Sequence, residues 1–129
     1  MSPAPVPRAK AFFLIRLAMA VGVITFVMVA WFLQGRGQPA LASPSSLTVL
    51  TTAMYTAVGI AAAVVMALRL RIASAEPAMR RSLSVVAWAV GEFAALFGGV
   101  MLFLTGDLPL VLPGALVFAL ALAAVRIPE

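Results

Sequence analysis

The chain carries four long apolar runs, and nothing else in it limits the fold as strongly. Residues 12–33 form 22 positions with a single charge, Arg16, near their start. Residues 47–70 meet no charge until Arg69, residues 83–104 are interrupted only by Glu92, and residues 110–125 hold no ionisable group and no hydroxyl. About 20 apolar residues in helical conformation cross the hydrocarbon core of a bilayer. Only helices and closed barrels satisfy every backbone polar group there. Runs of this length, without strand alternation, read as helices.

Composition agrees. The 129 residues are 64% hydrophobic and 10% charged, whereas a soluble domain carries about a quarter charged residues. Too little polar surface exists to face water. The expectation is a single all-α domain over 1–129, an integral membrane four-helix bundle with helices at about 12–33, 47–70, 83–104 and 108–126. Ala40-Leu41-Ala42 resembles a signal-peptidase site, but the first apolar run exceeds the usual h-region of about 7–15 residues. It is read as a retained helix.

Local signals place the breaks. Residues 1–10, MSPAPVPRAK, hold three prolines, and such density favours an extended, solvated tail. That tail is either a free cytoplasmic end or a strip along a partner protein or anionic headgroups. The stretch from Gln34 to Ser46 reads as a Gly/Pro/Ser loop, with Ser43-Pro44 as a cap and first helical residue. Glu76-Pro77 offers another start inside the basic connection 72–81. In Thr105-Gly106-Asp107-Leu108-Pro109, Gly106 suits the left-handed position that closes a helix and Asp107 the cap of the next.

Basic residues set the expected orientation. With four crossings, Arg8, Lys10, Arg16, Arg69, Arg71, Arg80, Arg81 and Arg126 fall on one side and Arg36 alone on the other. Cytoplasmic flanks are enriched in Lys and Arg. Both termini are therefore expected in the cytoplasm, in a multi-pass protein of the inner (cytoplasmic) membrane, with Trp31 and Phe32 at the outer interface. The net charge of +5 is spread between apolar runs without aromatic interleaving, which points to lipid and not to nucleic acid.

Few residues offer chemistry. There is no Cys and no His, and only Glu76, Glu92, Asp107 and Glu129 are acidic. This leaves no thiolate nucleophile and no imidazole for base or metal chemistry. An enzyme is not expected, nor a cofactor held through the chain's own side-chain ligands; contacts with lipid or a neighbouring pigment stay open. Glu92 stands nine residues into its run, expected near the bilayer midplane, where an ionisable group is costly. It reads either as a proton site or as a neutral acid donating one hydrogen bond to a neighbouring helix. Tyr55, Thr56 and Thr25 are the expected hydrogen-bond partners by depth, with a more stretched pairing to Arg16 as the alternative.

Small residues suggest how the helices meet. Ala87, Gly91, Ala95 and Gly99 recur every four positions, and Ala53, Ala57 and Ala61 make a matching ridge on the second helix. Such ridges let backbones approach where lipid is as apolar as leucine.

The string Gly91-Glu92-Phe93-Ala94-Ala95-Leu96-Phe97-Gly98, on a helix returning from a basic loop, resembles the acidic-site segment of rotor-ring proteolipid subunits of rotary ATPases. The resemblance extends over residues 53–104 and implies that Glu92 binds and releases a transported ion. This chain has Arg71-Ile72-Ala73-Ser74-Ala75-Glu76-Pro77 where that family has an Arg-Gln-Pro loop, and two further crossings flank the hairpin. From the residues themselves the leading expectation is a non-enzymatic accessory subunit among other transmembrane subunits and membrane lipids, in a respiratory or photosynthetic type of complex. The alternative is a proton- or ion-handling protein using Glu92.

Overall fold

The computed structural model describes residues 8–35 and 44–127, and among these the chain is helical throughout, with no strand. Helix α1 spans Arg8–Gly35, α2 Pro44–Ser74 and α3 Pro77–Thr105; a 3-10 turn, Leu108–Val111, leads into α4, Leu112–Ala124. Three of the helices are long and apolar enough to cross a membrane, as in a multi-pass membrane protein, and residues 108–124 form a shorter apolar helix. Of the proline-rich tail expected over 1–10, residues 1–7 lie outside the described residues, as does the Ser43 cap, while residues 8–10 are not extended but form the first turn of α1.

Helices α1, α2 and α3 outrun the apolar stretches that nucleate them. They contain 28, 31 and 29 residues, or about 42–47 Å at 1.5 Å per residue. The extra turns lie mainly at the basic flanks, because Arg and Lys are good helix formers and their charged heads reach past the apolar layer. The expected connection 72–81 therefore shrinks to a break at Ala75 and Glu76. Glu76 is extended (φ −65°, ψ 155°), as the ring of Pro77 disfavours the helical region for the residue before it. Pro77 then occupies the first turn of α3, where its missing N–H costs nothing.

The turn after α3 follows its residues closely. Gly106 has φ 73° and donates its N–H to Leu102 O at 2.8 Å, the left-handed closure available to glycine without a Cβ penalty. Asp107 makes no side-chain cap; its N–H donates to Thr105 Oγ1 at 3.1 Å, and that hydroxyl donates to Met101 O at 2.7 Å.

Helix α3 is the centre of the molecule. It packs against α1, α2 and α4, while α2 also touches α4. On one side Met54, Val58 and Ala61 of α2 meet Ala94 and Met101 of α3 and Val117 of α4. On the other, Val23 of α1 meets Ala95 and Phe118. A third cluster gathers Phe12 of α1, Leu68 and Ile72 of α2, Ala87 and Trp88 of α3, and Val125 after α4. The start of α1, the end of α2, the start of α3 and the end of α4 thus share one end of the molecule. It is the end that carries Lys10, Arg16, Arg69, Arg71, Arg80, Arg81 and Arg126.

Glycines on α3 and α4 decide how close these helices come. A Cβ at Gly114 of α4 would stand 2.2 Å from Ala94 O, and one at Gly91 would stand 2.7 Å from the Ala121 Cβ. At Gly99 an added Cβ would meet the Phe26 ring at 2.6 Å. The ridge Ala87, Gly91, Ala95 and Gly99 is buried, and it packs on α4 and α1. The expected match with Ala53, Ala57 and Ala61 does not form as a ridge. Ala53 is exposed, Ala57 half-buried and only Ala61 buried, because α2 turns its larger Met54, Val58 and Val65 inward.

Candidate functional site

Glu92 projects from α3 toward α1. An added Cβ on Gly22 would lie 4.0 Å from its Oε1, so the absent side chain of Gly22 leaves room beside the carboxyl. Glu92 is half-buried, its neighbour Gly91 is buried against α4, and Phe93 is exposed. The acid therefore lies in the shallow groove between α1 and α3. Gly22 stands six residues beyond Arg16, about 9 Å along the helix. Glu92 is thus level with the middle of α1, since Gly22 is the fifteenth of its 28 residues.

No side chain among the described residues donates a hydrogen bond to Glu92. Tyr55 is 53% exposed on α2. The Thr56 hydroxyl donates to Thr52 O at 2.8 Å, one turn back on its own helix. Thr25 is exposed on α1. None of these three hydroxyls meets the acid: Tyr55 and Thr56 belong to α2, whereas Glu92 faces α1, and Thr25 on α1 is exposed.

Arg16 is engaged elsewhere. Its guanidinium donates to Leu122 O near the end of α4 and stands 5.3 Å from the centre of the Trp88 ring. Trp88 is fully buried, donates its indole N–H to Val125 O at 2.9 Å, and takes the Phe12 ring edge-on at 6.1 Å. The last carbonyls of a helix have no partner within it. Here a cation and an indole supply two, with the positive charge placed against the negative end of the helix dipole. At the opposite end Gln34 donates its Nε2 to Phe103 O and closes α3 in the same way. Gln34 reads as the first loop residue in the sequence, yet it is the penultimate residue of α1. Its single signal is a lone amide at the end of an apolar run.

Among the described residues no group of three His, Cys, Asp or Glu side chains converges to hold a metal ion. Among the described residues Glu92 has neither an acid nor a cation bonded to it to form a relay. What the arrangement offers is one half-buried carboxyl in a groove between α1 and α3.

Comparison with known proteins finds no matching family model, no matching curated protein and no matching solved structure. The likeness of residues 53–104 to rotor-ring proteolipids therefore rests on their own string of residues.

Proposed function

We propose that this chain is a non-enzymatic accessory subunit that fills a place at the edge of a larger membrane assembly of the respiratory or photosynthetic type. It crosses the inner membrane four times with its basic end in the cytoplasm. The 17 residues from Leu108 to Ala124 rise about 27 Å, given 1.5 Å per α-helical and 2.0 Å per 3-10 residue. That length matches a thin hydrocarbon core.

The observation carrying this reading is the outward face of α2. Thr52, Thr56, Gly59, Ala63 and Ala67 are all exposed and follow one another at spacings of three and four. A Cβ added at Gly59 would meet nothing within 4 Å. The same helix turns Met54, Val58 and Val65 inward. A helix that meets only lipid has no reason to put its small residues outside, whereas small faces let a second transmembrane helix approach. Thr52 and Thr56 each donate to the carbonyl four residues earlier, at 2.9 and 2.8 Å, so neither needs a new partner on docking.

Gentle extraction of the tagged chain, followed by native sizing and identification of co-purifying subunits, tests the proposal. Gly59→Leu, on the outward face, is expected to release companions while leaving the helices intact. A wild-type chain that emerges alone overturns it.

A second reading rests on Glu92, a carboxyl in an apolar groove without a hydrogen-bond partner among the described residues. Ionisable groups in transmembrane segments mark proton and ion pathways. Glu92→Gln keeps the shape and abolishes titration. Undiminished ion flux in that variant, in membranes where the wild type conducts, rules out an obligatory carboxylate.

A further inference from the structure

At the basic end a cavity of about 410 Å³ opens between α2, α3 and the chain after α4, lined by Arg69, Arg80, Ser84, Arg126, Ile72 and Ile127 among others. We propose that this cavity binds the phosphate of an anionic lipid headgroup.

Three observations converge on a phosphate. The arginines come from three separate segments, so folding has brought together positive charges that are distant in sequence. Like charges gathered at one cavity repel, and an anion between them reverses the sign of that interaction. Their donors are also largely free. Arg69 and Arg126 make no hydrogen bond or ion pair among the described residues, and Arg80 commits one nitrogen to Ala75 O at 3.1 Å. A guanidinium presents five N–H donors in a planar fork that fits phosphate oxygens two at a time. Finally, two carbonyls at the end of α4 are already occupied and do not face an anion unpaired: Leu122 O accepts from Arg16, and Val125 O, in the cavity lining, accepts from Trp88.

The surroundings select a lipid as the source. Ile72, Ala73 and Ile127 line the cavity beside the arginines, and the apolar cluster of Leu68, Trp88 and Val125 adjoins it. A phosphate seated here keeps its glycerol and acyl chains against an apolar wall. Basic pockets between membrane helices are suited to such headgroups. The volume is that of a small-molecule site, which typically measures about 300–1,000 Å³. Three cations further favour a headgroup bearing two negative charges over a zwitterion.

Arg71 and Arg81 provide internal controls, since they lie at the same end but do not line the cavity. The full chain is purified in mild detergent and titrated with cardiolipin, with phosphatidylcholine and, separately, with inorganic phosphate, and bound ligand is read by native mass spectrometry. Arg69→Gln and Arg126→Gln are each expected to weaken cardiolipin binding at least about fivefold, as loss of a charge-assisted hydrogen bond implies. Arg71→Gln and Arg81→Gln should change it less than about twofold, as screened surface charges do. Emission of Trp88 in a Trp31→Phe background verifies that each variant is folded. Arg69→Lys and Arg126→Lys, which keep the charge but lose the fork, should fall between. Equal losses in all four Gln variants, or no preference for cardiolipin over phosphatidylcholine, overturn the built site. Arginine-dependent binding of inorganic phosphate without lipid binding overturns the lipid assignment.

Discussion

Arg16, in the first third of α1, and Gln34, its penultimate residue, each donate to a carbonyl in the last turns of a different neighbouring helix: Arg16 to Leu122 O of α4, Gln34 to Phe103 O of α3. Eighteen positions separate them, about 27 Å along the axis, close to the thickness of a hydrocarbon core. Helix α1 buries little of its apolar surface within the chain, so these two polar contacts do much to fix its height and rotation.

Removing either contact should loosen α1 without unfolding the rest. Gln34→Ala is expected to cost about 1 kcal/mol, and Arg16→Met, which keeps the stem and loses the charge, about 1.5–3 kcal/mol. The sites share no partner and are far apart, so the double variant should equal the sum within about 0.5 kcal/mol. Denaturant titration of the full chain in micelles, followed by Trp88 emission, measures all three. A double variant far from additive would show that α1 moves as one rigid lever.

Trp88 joins three helices through different forces: a hydrogen bond to Val125 O, the Phe12 edge, and the Arg16 guanidinium over its ring. Trp88→Phe keeps an aromatic ring for Phe12 and Arg16 but leaves Val125 O without its donor. The expected loss is about 1–2 kcal/mol. Trp88→Ala also opens a cavity, and about 3–5 kcal/mol is expected. Similar losses for the two variants would mean that the indole N–H, not the ring, holds α4 in place. Their difference is read from the same unfolding curves, followed by helical circular dichroism.

Much of this architecture is legible in the residues. The apolar runs mark the helices, Pro77 and Gly106 mark the sharpest breaks, and the basic residues mark the shared end. Rotation of each helix about its axis is not legible, because α1, α2 and α4 are apolar on nearly every face and no polar stripe fixes an inside. By residue size alone nothing ranks Ala53, Ala57 and Ala61 above Thr52, Thr56, Gly59, Ala63 and Ala67; only the inward turn of Met54 and Val58 separates them. The orientation of Glu92 was hidden for the same reason. Its expected depth points to Tyr55, Thr56 and Thr25, whereas its face points to Gly22.

The close approach of α3 and α4 gives a sharp contrast between two glycines. At Gly114 a Cβ would press on Ala94 O at 2.2 Å, and a backbone atom cannot swing aside; at Gly59 nothing lies within 4 Å. Gly114→Ala should therefore push the hairpin apart at a cost of about 1–3 kcal/mol, as overpacking does. Gly59→Ala should instead stabilise α2 by up to about 1 kcal/mol through helix propensity. Opposite signs in parallel thermal unfolding of the two variants support the packing described; a harmless Gly114→Ala refutes it.

Glu92 sets stability of the isolated chain against its interactions. It is half-buried with no partner of its own among the described residues, so the folded monomer bears the cost of holding a polar group in an apolar groove. Glu92→Leu removes that cost and should stabilise the monomer by about 1–3 kcal/mol, whereas a residue held by an internal hydrogen bond would give a loss. The same substitution deletes a polar handle on that face. If a neighbouring subunit supplies the missing partner, co-purification of that subunit should weaken while monomer stability rises. Unfolding of the purified variant and recovery of companions from membranes are read side by side. A destabilised monomer would show that Glu92 is satisfied within its own chain, and the groove between α1 and α3 would then hold no unmet polar demand for a second molecule to meet.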